Sequence, residues 1–240
     1  MKTAVIIPSR YGSSRFQGKP LALIKEKPLI QHTLERVKKC KEIDFTAVAT
    51  DNKLIYDFVK KLDFKVFMTP ENCKSGTDRI AFTASKFLKD CDILINVQCD
   101  EPLIDPKLID TLAVLLKKNK YLKCATAAFP ITEKDVIKNP NVVKVVFDKY
   151  GYALYFSRYA IPYNRDNIKT KYYKHMGIYG YKRKFLLEFS KSKVSFLEKT
   201  ENLEQLRVLE NGKKIKVVVS KQDSIGVDTL EDIAKVEKYL

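Results

Sequence analysis

Three short stretches of the chain carry side chains able to do chemistry, and each lies where an apolar run ends. Residues 5–21 read VIIPSRYGSSRFQGKPL: after the apolar run, Arg10, Arg15 and Lys19 follow within ten residues, interleaved with Gly12, Ser13, Ser14 and Gly18. Small residues let backbone N–H groups approach a ligand, and clustered cations neutralise it, so this loop suits a triphosphate. It is neither a GxGxxG nor a Walker phosphate loop. The second stretch, NVQCDEP, puts Asp100 and Glu101 directly after another apolar run. Mg2+ takes one or two carboxylates and fills its remaining positions with water and phosphate oxygens, so these acids could hold a metal-bound phosphate. They could equally favour the dipole of a helix starting at Pro106. The third, GVDTLED, offers Asp228 as a second carboxylate, although Asp228 or Thr229 could instead cap the last helix.

Two further segments are weaker signals. SGTDRI (75–80) opens a helical pattern with small and hydroxyl residues, suited to a base or sugar or simply to capping. YKHMGIYGY contains His175 among aromatic residues, and a lone histidine by itself reads as structural. In NLEQLRVLENG, Leu203, Leu206 and Leu209 define an inward face, which leaves Glu204, Gln205 and Arg207 on the surface.

The elements that must position these residues alternate. Apolar strand patterns at 3–8, 45–50, 65–69, 92–98 and 124–130 are separated by amphipathic helical patterns, such as PLIQHTLERVKKC with Leu29, Ile30, Thr33, Leu34 and Val37 on one face. Strands apolar throughout, joined by helices, imply a mostly parallel sheet with helices on both faces. Ligands in such sheets bind beyond the carboxyl ends of the strands, where the loops after the first, second (TDN) and fourth strands would meet. From 126 to 207 the rhythm becomes more β-rich, with VVKVVFD and YALYFSR paired about Tyr150-Gly151. The expected organisation is an α/β nucleotide-binding domain made of 1–125 and 208–240, with 126–207 as an inserted smaller lobe.

Composition narrows the function classes. The chain has 240 residues, 45% hydrophobic and 31% charged, which fits a globular protein and excludes a disordered one. No apolar stretch has spanning length and the N-terminus lacks a cleavage-site pattern, so the expected location is cytoplasmic without membrane insertion. Five cysteines without CxxC spacing and two histidines argue against a disulfide framework or a zinc site. The net charge of +16 invites a nucleic-acid reading. The 45 basic residues include only eight arginines, however, and the lysines spread over helix faces, so no nucleic-acid partner is expected.

Taken together, IIPSRYGSSRFQGKPL, ATD, SGTDR, NVQCDEP, ALYFSR, KHMGIYGY, LEQLR and GVDT resemble, in order and from first strand to last helix, the 3-deoxy-manno-octulosonate (KDO) cytidylyltransferases. The resemblance implies a Rossmann-like nucleotidyltransferase fold with a β-rich dimerisation lobe, and hence a homodimer. It implies that CTP and KDO are converted to CMP-KDO and pyrophosphate with Mg2+, for lipopolysaccharide biosynthesis; an 8-amino-KDO or another nonulosonic-type sugar acid is the alternative substrate. On this likeness Arg10, Ser13, Arg15 and Lys19 would hold the triphosphate, and Asp100 and Asp228 the metal. Ser75, Gly76 and Arg79 would contact the nucleoside. Arg158, His175, Tyr179, Glu204 and Gln205 would surround the sugar acid, with Gln98 between the substrates. One departure stands out: the family's NVQGDEP has Gly where this chain has Cys99, whose side chain is expected to pack inward.

Overall fold

In the first strand, Ala4 and Ile6 face one side of a sheet while Val5 and Ile7 face the other, and all four are fully buried. A strand with no polar face must be covered on both sides. The structure, a computed structural model, describes residues 1–12 and 16–240. In chain order the strands are β1 (Thr3–Ser9), β2 (Leu23–Ile24), β3 (Lys27–Pro28), β4 (Phe45–Thr50), β5 (Lys65–Met68), β6 (Ile93–Asn96), β7 (Cys124–Ile131), β8 (Lys144–Phe147), β9 (Ala153–Ser157), β10 (Tyr172–Lys182) and β11 (Lys216–Val219). The helices are α1 (Leu29–Val37), α2 (Lys53–Lys61), α3 (Gly76–Lys86), α4 (Pro106–Lys118), α5 (Lys134–Lys138), α6 (Arg183–Phe189), α7 (Phe196–Glu201), α8 (Gln205–Glu210) and α9 (Leu230–Glu237). No helix among the described residues is long and apolar enough to cross a membrane.

The main sheet runs β11-β7-β10-β6-β1-β4-β5, with β8 and β9 branching from β10. Pairings of β1 with β4 and β6, β4 with β5 and β7 with β11 are parallel, and β10 is antiparallel to both its neighbours. Helices α1, α2 and α4 cover one face through residues such as Leu34, Val59 and Leu112. Helices α3 and α6 cover the other through Ile80, Ala84, Phe185 and Leu186. Order reverses at β1, which lies between β4 and β6, so the crevice expected of such a sheet opens beyond the ends of these three strands.

Helix starts follow local chemistry. Asn52, Ser75 and Asp105 cap α2, α3 and α4, each accepting a backbone N–H within the first turn. Helix α9 begins with a capping box between Thr229 and Asp232. Thr229, not Asp228, is therefore the cap.

The segment 126–207 is woven more tightly into the sheet than the change of rhythm suggests. A boundary at 125/126 falls inside β7, and β10 lies between β6 and β7 at the centre of the sheet. The rhythm changes because pairing switches from parallel to antiparallel there. Gly180 permits this arrangement: a Cβ at that position would sit 2.6 Å from Leu116 Cδ1, so α4 packs directly on the strand's backbone.

On the β8–β9 branch the fully buried Lys144 is held by carbonyls alone. Its ammonium donates to Asn139 O at 2.8 Å and to Val142 O and Arg158 O at 2.5 Å. Burial, then the nearby Arg158 charge, lowers its pKa, and the three acceptors hold it in place. Removing the cation would take the shared donor away from three part-buried carbonyls. Lys144→Met is expected to lower unfolding free energy by about 3 kcal/mol, read from denaturant melts; an unchanged midpoint would contradict this role.

Candidate active site

At the carboxyl end of β1, Gly18 adopts φ 70° and leads into a short 3-10 turn at Lys19–Leu21. A side chain at a positive φ is disfavoured, so glycine sets this turn. The turn aims Lys19 inward. Its ammonium lies 2.5 Å from Asp100 Oδ2, 3.4 Å from Asp228 Oδ1 and 2.8 Å from Val227 O. A backbone bond from Val227 N to Asp100 O, at 2.9 Å, ties the two acidic segments together. Burial alone would lower the Lys19 pKa, but Asp100 outweighs it and the net shift is upward. Lys19 is therefore a fixed positive charge between two carboxylates that are 128 residues apart in sequence.

These groups form one end of a cleft of about 250 Å3. Arg10 and Lys19 line it from β1, Gln98 and Asp100 from beyond β6, and Asp228 from the C-terminal segment. Ser75, Gly76 and Arg79 line the opposite wall, at the N-terminus of α3. Ser9, Cys73 and Lys74, to which the sequence reading gives no role in the site, also face it. Lys74 directly precedes SGTDR, so its charge was a legible signal. Ser13 and Arg15 lie outside the described residues.

The buried Arg79 is tied to Asp51 at 2.5 Å, and also donates to Thr69. It thereby joins the loop after β4 to the cleft wall. Gln98 donates to Asn96 Oδ1 at 3.0 Å. Cys99 has no positive φ and its side chain joins the core beside α4, with burial raising the thiol pKa to about 12. The Gly-to-Cys departure thus leaves the aim of Asp100 intact. Behind Asp100, Glu101 accepts a hydrogen bond from Ser224; burial, then the Asp100 charge, pushes its pKa up to about 7. The sequence offers Glu101 with Asp100 as an acid near a metal-bound phosphate; in the structure its carboxylate instead anchors the segment that delivers Asp228.

The residues expected around a sugar acid lie beside this cleft rather than in its lining. His175 and Tyr179 sit on β10 with ring centroids 5.3 Å apart, and Tyr179 pairs with Asn96 of β6. His175 Nε2 lies 3.0 Å from Thr126 Oγ1. Glu204 bonds Ser75 at 3.2 Å and Thr77 at 2.5 Å, so it abuts the α3 wall. Gln205 and Arg207 are 8% and 5% exposed, which corrects the expectation of surface display. They are buried because α8 packs between β9 and α7 instead of lying against solvent. Arg158 is committed elsewhere: its guanidinium donates to Glu201 O at 2.7 Å, Pro140 O at 3.1 Å and Asn202 O at 3.3 Å.

The donor set can be tested for a divalent ion. Among the described residues no three His, Cys, Asp or Glu side chains converge as a full protein cage. Two carboxylates do converge on a single cationic centre, the Lys19 ammonium. That set fits Mg2+, which needs few protein oxygens when phosphates supply others, and is too sparse for a metal bound by protein alone.

Comparison with known proteins decides what this cleft belongs to. A family model described as Cytidylyltransferase matches residues 4–215. The 3-deoxy-manno-octulosonate cytidylyltransferase of Fusobacterium nucleatum is 48% identical over all of this chain and 97% of its own length. The chain belongs to the KDO cytidylyltransferase family. A protein of the same name from Thermodesulfovibrio yellowstonii is 49% identical over all of this chain and 98% of its own. An 8-amino-3,8-dideoxy-manno-octulosonate cytidylyltransferase from Shewanella baltica is 47% identical over 100% of this chain and 99% of its own. A solved structure of CMP:2-keto-3-deoxy-manno-octonic acid synthetase complexed with CTP superposes with a TM-score of 0.94 at 39% identity, covering 100% of this chain and 98% of that one. The 4-diphosphocytidyl-2C-methyl-D-erythritol synthase of Anaerococcus prevotii, at 18% identity and a TM-score of 0.66, shares the fold. The family's Rossmann-like nucleotidyltransferase architecture is the one described above.

Desolvation pushes the His175 pKa from 6.5 down to about 3. The folded protein thus holds a neutral imidazole where the unfolded chain would be protonated. Its stabilising contribution is complete above pH 6.5 and is lost as pH falls toward 3. Between pH 7 and pH 5 the native protein should lose more stability than His175→Gln, by at most about 2 kcal/mol. Parallel melts of the two proteins at both pH values check it; identical losses would show that His175 titrates normally.

Proposed function

We infer that this protein transfers a cytidylyl group from CTP to KDO, giving CMP-KDO and pyrophosphate. The observation that carries this reading is the meeting of Asp100 and Asp228 at Lys19, in a cleft shared with Arg10 and the start of α3. A nucleoside triphosphate fits that arrangement with its phosphates toward Arg10 and Lys19 and its nucleoside toward Ser75 and Gly76. Asp100 and Asp228 would hold Mg2+, which supplies charge neutralisation at the phosphates and acidifies a nearby hydroxyl. Arg10 and Lys19 stabilise the charge that accumulates on departing pyrophosphate. Lys19 is already between the carboxylates, so a short displacement carries its charge onto a phosphate.

The sugar acid would lie beyond Gln98, against His175, Tyr179 and the Glu204–Gln205 corner. Its anomeric hydroxyl then faces the α-phosphorus, and the walls act chiefly by alignment. Arg158 would meet the sugar carboxylate only by giving up a carbonyl partner. The 126–207 segment leaves Leu154, Tyr159, Tyr163 and Ile168 exposed, an apolar surface that supports its role in a homodimer. Dependence on CTP, and five cysteines free of disulfides, support a cytoplasmic setting.

Pyrophosphate release with CTP, Mg2+ and KDO tests the reading. Asp100→Asn should fall by a hundredfold or more while keeping the fold, since it removes a charge without changing shape. Near-native turnover by this variant would remove Asp100 from the machinery. Offering KDO and its 8-amino analogue in competition settles the sugar; preference for the amine would replace KDO as the substrate.

A further inference from the structure

The most enclosed arginine of the C-terminal half, Arg207, is surrounded on every side. Its guanidinium carbon lies 4.5 Å above the Phe189 ring. Nε pairs with Glu198 at 3.1 Å, one terminal nitrogen donates to Ser192 O at 2.9 Å, and the other donates to Glu204 Oε1 at 2.7 Å. Glu198 is itself fixed, because it also accepts the backbone N–H of Ser195 in the capping box of α7. A planar guanidinium held by an aromatic face and two carboxylates has one orientation available, so the direction it imposes on Glu204 is equally narrow.

Glu204 transmits that direction to α3. Ser75 donates to its Oε1 at 3.2 Å and Thr77 to its Oε2 at 2.5 Å, across 129 and 127 residues of sequence. The Ser75 hydroxyl meanwhile accepts from Asp78 N at 3.1 Å as the cap of α3. A line of polar contacts therefore runs from α7 into the first turn of α3: an ion pair joins Glu198 to Arg207, and charge-assisted hydrogen bonds then join Arg207, Ser75 and Thr77 to Glu204. That turn carries Ser75, Gly76 and Arg79 into the cleft. Burial raises the Glu204 pKa, so without its partners the carboxylate would be an unfavourable group at this place.

We propose that Arg207 and Thr77 are positioning residues: they fix Glu204 as a strut that sets the α3 wall of the nucleotide cleft from the sugar side of the molecule. The proposal rests on the reading that α3 receives the nucleoside of CTP. Its consequence is that one carboxylate serves both halves of the site. A sugar acid seated beside Glu204 and a nucleotide seated on α3 then bear on the same rigid element.

Thr77→Val removes one hydroxyl from the strut and keeps the shape, while Thr77→Ser restores the hydroxyl. The KM for CTP should rise about tenfold in Thr77→Val, the effect of one hydrogen bond to a charged group. Turnover should stay within about threefold, and Thr77→Ser should return the KM to within about twofold of native. Arg207→Met should raise the KM for both substrates, and combining it with Thr77→Val should add little more, since the two act through one carboxylate. A lowered melting temperature with an unchanged KM for CTP, or Thr77→Ser as impaired as Thr77→Val, would overturn the proposal. If Arg207→Met does not fold, the Thr77 pair decides alone. If the native protein releases no pyrophosphate from CTP and KDO, the functional reading fails separately. The strut is then judged by hydrogen exchange in residues 76–80: faster exchange in Thr77→Val supports it, and unchanged exchange overturns it.

Discussion

Two carboxylates 128 residues apart in the chain cannot share a cleft without a cation between them, and that electrostatic constraint organises this molecule. Like charges brought close in a partly desolvated site repel strongly unless a positive group intervenes. Lys19 supplies it, reaching Asp100 and Asp228 from the turn after β1. The neutral bonds around it do the fastening: Lys19 to Val227 O, Val227 N to Asp100 O, and Ser224 to Glu101. Together they draw residues 224–228 onto the edge of a sheet whose last strand, β11, lies four strands away from β1. The cation that keeps the acids together in this structure occupies the place proposed for a polyphosphate and its metal.

The opposite wall obeys the same rule with different groups. Arg79 is buried and needs an anion, which Asp51 at the end of β4 provides. Glu204 is largely withdrawn from water and needs donors, which Ser75, Thr77 and Arg207 provide. Both arrangements terminate on α3, so the helix start that lines the cleft is pinned from the sheet and from the C-terminal helices at once. This wall of the cleft is thus held by buried charged groups whose partners come from distant segments.

Some of this was legible from residues alone, for local reasons. The period of apolar residues gave β1, β4, β5, β6 and β7 and the helices between them, because burial on one or both faces leaves a repeating trace. The cap at Ser75 was readable because a side chain there bonds its own next turn. The Arg10–Lys19 loop and Asp100 stood out because small and charged residues interrupt apolar runs. Three features were not readable. The central position of β10 depends on Gly180 admitting α4, a contact between segments far apart in sequence. Arg207 and Gln205 looked exposed because helical spacing reports one buried face and α8 has two. The burial of Lys144 was not readable either, since nothing local marks the three carbonyls that receive it.

The sequence by itself determined the alternation of strands and helices, the family, and the kinds of side chain available for phosphate and metal chemistry. Periodicity, capping and charge clusters are short-range properties, and the linear order of residues contains them. Only the tertiary structure decided that Thr229 caps α9 while the Asp228 side chain reaches Lys19, that Glu204 braces α3, and that Arg158 is spent on carbonyls. Each of these is a partner choice among polar groups from separate segments. Such choices are fixed by which distant segments the packed sheet brings within about 3 Å of one another.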